Sequence, residues 1–158
     1  MRAFSSWIDL DCKLHYLDSS KRGLRIIVGK GVCQKRATLV KEYLRFLRKR
    51  YFFPIRCYFH LTNQARYSSA AGGYCYGVFF PGEENRNGLP SIYYPALAEN
   101  DDWECVFDVA RLLTYYFQWY FGLEGDRSHR SLEAEAARMA GFLADEFLVS
   151  RAHPPKEP

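Results

Sequence analysis

The sequence predicts an α+β fold, in which a small, mostly antiparallel or mixed sheet accompanies an N-terminal amphipathic helix and two packed C-terminal helices. Three observations predict it. Apolar runs at 24–28, 55–61 and 74–80 are short and bounded by glycine or proline, as strands are. Residues 34–50 carry apolar side chains at helical spacing. From residue 101 onward two long helical patterns follow, with no further strand signal.

The first strand, 24–28, is β-branched and ends at Gly29. Gly29-Lys30-Gly31 resembles the opening of a dinucleotide fingerprint, but Gln34 stands where the third glycine belongs, so a turn is expected. In the helix 34–50, Ala37, Val40, Tyr43, Leu44 and Leu47 share one face, and Pro54 follows its end. A second strand is expected at 55–61 and a third at 74–80, entered by Gly72-Gly73 and closed by Pro81-Gly82. Residues 83–88 form a polar loop, and 91–94 sit between two prolines, which predicts a short edge strand. Asp101 and Asp102 mark a helix start, where acids meet the positive end of the helix dipole. That helix runs to about Phe121 and stops at Gly122; a second spans 131–149. With no repeat and no linker, 1–150 forms one domain and 151–158 a flexible tail containing Pro154 and Pro155.

Composition excludes several classes. Hydrophobic residues make up 48% of the 158 and charged residues 25%, which is globular rather than disordered. The aromatic share, 17%, predicts a bulky core, with rings left over for a cleft or an interface. No apolar run reaches the roughly 18 residues a membrane-spanning helix needs. The first ten residues lack the pattern of a secretory signal. Cys12, Cys33, Cys57, Cys75 and Cys105 are odd in number and form no C-x-x-C pair, so reduced thiols and a cytoplasmic location are expected.

The net charge is +4, unevenly spread. Residues 35–50 hold seven basic side chains against Glu42, a net +6, leaving −2 for the rest. Lys41, Arg45, Arg48 and Lys49 are therefore a possible binding face for nucleic acid or an acidic partner. A solvated helix face is the ordinary explanation of such a stripe.

On the helix 103–121, Glu104, Asp108, Arg111, Tyr115 and Gln118 fall within about 80° of one another at 100° per residue. The remaining sides are apolar or aromatic, so the helix is expected to be buried with one polar stripe at a cleft. Ion pairing among Glu104, Asp108 and Arg111 explains the same stripe without a site. On the next helix Glu133 lies above Ala137, Ala140 and Ala144, which are small enough to admit a neighbouring helix, and Glu135 points further from that face.

The segment 111–119, Arg-Leu-Leu-Thr-Tyr-Tyr-Phe-Gln-Trp, resembles the H-E-L-x-H-Y-x-Q-W helix of small bacterial zinc metallopeptidase-like proteins of the gluzincin type. The resemblance extends to Glu133-Ala-Glu-Ala136, at the place where those families carry a third zinc ligand. It implies a zincin-like fold. It also implies a lost metal site: Arg111, Leu112 and Tyr115 stand where the two histidines and the catalytic glutamate would be. Arginine cannot ligate a cation and leucine cannot take a proton, which leaves Glu133 alone. His15, His60, His129 and His153 lie in separate segments, and only His129 falls near the expected cleft.

No catalytic residue, metal or cofactor is expected, and Arg111 is expected to pair with Glu133, or failing that Glu135, in place of the metal. The expected function is a catalytically inactive, metallopeptidase-like domain that acts by binding another protein or a peptide, or by regulation. The alternatives are nucleic-acid or acidic-partner binding through the basic helix, and a hydrolase with a rearranged site.

Overall fold

A computed structural model of the chain describes residues 5–10, 22–68, 73–75 and 77–153. Cys12, His15 and residues 154–158 lie outside the described residues. The element order is β1 (Leu24–Val28), α1 (Gln34–Arg48), β2 (Cys57–Thr62), β3 (Arg66–Ser68), β4 (Gly73–Cys75), β5 (Val78–Phe80), β6 (Ser91–Pro95), α2 (Asp102–Tyr120) and α3 (His129–Ala152). The fold is α+β, with a four-stranded mixed sheet in the order β1-β2-β6-β5 and a separate pair, β3-β4.

β1, α1 and β2 form one strand–helix–strand unit, and the crossover helix is what allows the two strands to run parallel. β2 and β6 are also parallel; only β5 is antiparallel to its neighbour β6. The sheet is thus mixed, one of the two arrangements expected, and not mostly antiparallel, the other.

The 91–94 segment is also not an edge. β6 lies between β2 and β5, because its prolines stand outside the positions that must donate. Pro90 contributes its carbonyl, which accepts from the Tyr58 amide at 3.1 Å, and Pro95 closes the strand. Nor is 74–80 one strand. Gly77 adopts φ +131°, a conformation side chains rarely take, and separates β4, which pairs with β3, from β5 at the edge of the main sheet. α3 begins earlier and ends later than its periodicity suggests. The Ser128 hydroxyl caps it by accepting from the Ser131 amide at 3.1 Å. At the other end Arg151 reaches Glu42 (3.2 Å) and Asp102 (3.5 Å), which holds helical two residues assigned to the tail.

One face of the sheet packs on the helices. Cys57, Phe59, Leu61, Ile92 and Tyr94 are buried there with Val40, Tyr43, Leu44 and Leu47 of α1 and most of α2. α2 is buried almost all round, as its composition requires. α3 lies against it through Ala136, Ala140, Leu143, Ala144 and Phe147. The N-terminal residues Ser6, Trp7 and Ile8 are buried too, and Trp7 donates its indole N–H to Thr114 of α2 at 2.9 Å. Among the described residues no helix is long and apolar enough to cross a membrane, and the thiols of Cys33, Cys57 and Cys105 are free.

Candidate functional site

α2, α3 and the strand β5 enclose an open cleft of about 550 Å³. Asp101 starts α2 by accepting from the Glu104 amide at 2.8 Å, and Gly122, at φ +65°, ends it. The short connection 123–128 then folds α3 back along α2. Its lining includes Leu112, Tyr115 and Gln118 from α2 and Leu132 and Glu133 from α3. Gly77, Val78 and Phe79 form the opposite wall; Glu124, Arg127 and His129 close one end.

Three of the four positions singled out by the motif resemblance, Leu112, Tyr115 and Glu133, therefore line one space. Tyr115 donates its hydroxyl proton to Glu133 Oε2 at 2.8 Å. Burial and this bond to a carboxylate push the Tyr115 pKa up to about 12, against the opposing pull of Arg111, so it remains a donor throughout the neutral range. Leu112 is buried against Gly77: a Cβ added to that glycine would stand 2.7 Å from Leu112 Cδ1.

The expected pairing of Arg111 with Glu133 or Glu135 does not form. Arg111 reaches Asp108 instead, Nη2 to Oδ1 at 3.7 Å, and its buried Nε has no hydrogen-bond partner. No hydrogen bond or ion pair joins it to either glutamate among the described residues. Asp108 is one turn away on the same helix, whereas the Tyr115 hydroxyl already occupies Glu133. Burial raises the Asp108 pKa, and Arg111 partly offsets that.

The polar stripe of α2 also divides. Glu104 is exposed and Asp108 half-buried, and neither lines the cleft. Gln118 does border it, but its amide is spent in the seam with α3, donating to Leu132 O at 2.9 Å and Glu135 Oε1 at 2.8 Å.

The seam corrects the ranking of the two acids. Glu135, not Glu133, is the fully buried one. It accepts from the Ser6 amide (2.9 Å), the Ser6 hydroxyl (3.2 Å), Gln118 and Arg127 Nη1 (3.3 Å). Four donors from three regions satisfy a carboxylate that burial would otherwise make very costly. Sequence reasoning missed this centre because a helical wheel places residues only relative to their own helix. The chain that buries Glu135 comes from 129 positions away.

The donors present do not fit zinc. Among the described residues no group of three His, Cys, Asp or Glu side chains is placed to hold a metal ion, and Arg111, Leu112 and Tyr115 are not zinc ligands of the expected kind. His129 reaches the cleft, His60 lies on the sheet and His153 caps α3.

The basic helix keeps its face. Lys41, Arg45, Arg48 and Lys49 are exposed, with no ion pair or hydrogen bond among the described residues. Arg36 is not part of that face: it is buried and paired with Asp102. Arg50 is paired with Glu146 and lies over the Phe46 ring at 4.2 Å.

Comparison with protein-family models, with curated proteins and with solved structures gives no match.

Proposed function

We propose that the chain is a metallopeptidase-like, zincin-like domain whose cleft holds an extended peptide segment without cutting it. The observation that carries this reading is the cleft itself, in which Leu112, Tyr115 and Glu133 converge opposite the edge strand β5. An edge strand beside a cleft suits an added peptide strand: main-chain bonds supply affinity, and the pockets beneath alternate side chains supply selectivity. Here Phe79, Leu112 and Leu132 offer apolar contact, while Glu124, Arg127, His129 and Glu133 offer polar ends. Hydrolysis finds no support in the same residues. Leu112 cannot act as a general base, and the Tyr115 hydroxyl, held as a donor to Glu133, is not an activated nucleophile.

The test is selection of short random peptides on the purified protein, followed by mass spectrometry of the bound ones. Selected peptides are expected to come back intact and to bind at least roughly tenfold more weakly to Tyr115→Arg, which replaces a ring in the cleft lining with a long charged side chain. Recovery of cleaved peptides, or selection that ignores Tyr115→Arg, contradicts the proposal.

The second reading, contact with nucleic acid or an acidic partner through α1, has one observation in its favour: Lys41, Arg45, Arg48 and Lys49 remain exposed together.

A further inference from the structure

The side of the sheet turned away from the helices has a different chemistry from the cleft. Alternation along β1, β2 and β6 places Arg25, Ile27, Tyr58, His60, Ser91 and Tyr93 there. The register aligns them in two rows across the strands. Arg25 is opposite Tyr58, which is opposite Ser91; Ile27 is opposite His60, which is opposite Tyr93. The His60 and Tyr93 rings stack, with centroids 4.4 Å apart and planes 4° from parallel. Tyr58 and His60 are half-buried, and Ile27 is exposed.

Above these rings is an open pocket of about 390 Å³, walled by the loop that carries Asn85, Arg86, Asn87 and Leu89. The loop is held in place by the Asn85 amide, which donates to Leu89 O at 2.7 Å and to the Ser91 hydroxyl at 3.2 Å. Among the described residues no carboxylate lines the pocket. Arg86, on its wall, and Arg25, beside Tyr58, are both exposed.

We propose that this face binds single-stranded nucleic acid, with bases stacking against Tyr58 and His60 and phosphate meeting Arg86 and Arg25. Unsaturated rings on a sheet with cations at the rim are what unpaired bases and their backbone require: every base has a π face, and each phosphate needs a positive neighbour. Burial lowers the His60 pKa, which favours the uncharged ring. The site is separate from the basic helix. α1 packs with the core on the other side of the sheet, so Lys41, Arg45, Arg48 and Lys49 face elsewhere.

The experiment is fluorescence anisotropy with a labelled, mixed-sequence single-stranded DNA of about 12 nucleotides. The expected result is saturable binding that weakens as salt rises. Tyr58→Ala and His60→Ala should each weaken it by roughly 5- to 100-fold, while Tyr58→Phe, which keeps the ring, should retain it. Arg86→Gln should lower the slope of log affinity against log salt by about one. Replacing Lys41, Arg45, Arg48 and Lys49 together by Gln should leave binding unchanged. Three outcomes overturn the proposal. One is no saturable binding by the native chain. The second is binding that survives Tyr58→Ala but is lost with the α1 replacements. The third is a native chain that self-associates through this face, with Tyr58→Ala restoring the monomer and no oligonucleotide bound. Should the alanine variants lose their native circular dichroism, Arg86→Gln decides, and an unchanged salt slope then counts against the site.

Discussion

Glu133 and Glu135 are two residues apart on one helix and live under opposite physics. Glu135 is fully buried and its oxygens are saturated by Ser6, Gln118 and Arg127. Glu133 is half-buried at an open cleft, where it accepts one bond from Tyr115. The first ties the N-terminal segment to both long helices. The second stands at the cleft with Tyr115 as its hydrogen-bond partner. Burial and partner number, more than position in a motif, decide which of the two acids holds the fold together.

The largest expected effect tests the buried side of this contrast. Glu135→Ala removes the acceptor of the Ser6 amide and hydroxyl and one acceptor each of Gln118 and Arg127, and should cost roughly 3–5 kcal/mol in denaturant unfolding. A loss under about 1 kcal/mol would mean that the network is wet.

Next comes Gly77→Ala, which both forces a side chain into φ +131° and drives it into Leu112. It should destabilise by about 1–3 kcal/mol. It should also reshape the cleft, which is readable as altered peptide binding.

Glu133→Ala should cost no more than about 1 kcal/mol, because solvent at the cleft screens what is lost. Spectrophotometric titration sharpens the same point. The tyrosinate signal missing from Tyr115→Phe should belong to a group titrating near pH 12. A tyrosine with a raised folded-state pKa contributes stability that is complete below the ordinary tyrosine range and is lost as pH climbs through about 12. Ionisation of Tyr115 near pH 10 would contradict its burial together with its bond to Glu133.

Smallest of all, replacing Arg45, Arg48 and Lys49 by Gln should leave the thermal midpoint almost unmoved, since each side chain ends in solvent.

The elements were legible where local chemistry settles them. The β-branched run Leu24–Val28 is a strand with the bounds its composition gives, and Asp101 caps α2 where the acids predict a start. The α+β class follows from these. Strand order did not. The prolines around 91–95 suggested an edge, yet they lie at the ends of β6, where a missing N–H costs nothing. Position 77 looked like the interior of a strand, and only its backbone angle reveals the break. The cleft was partly legible: Leu112, Tyr115, Gln118, His129 and Glu133 do come together. Arg111 and Glu135 were not, because their partners depend on distances between segments. Asp108 lies nearer to Arg111 than either glutamate, and Ser6 covers Glu135 from the far end of the chain.

The central claim is that the cleft beside β5 takes up a peptide strand and leaves it whole. Amide hydrogen exchange on the native chain, with and without a peptide selected on it, tests this most directly when the peptide is recovered and weighed afterwards. The account predicts slowed exchange across Val78–Phe80 and around Tyr115, with the peptide mass unchanged. Protection confined to other surfaces, or a peptide recovered in two pieces, would contradict it.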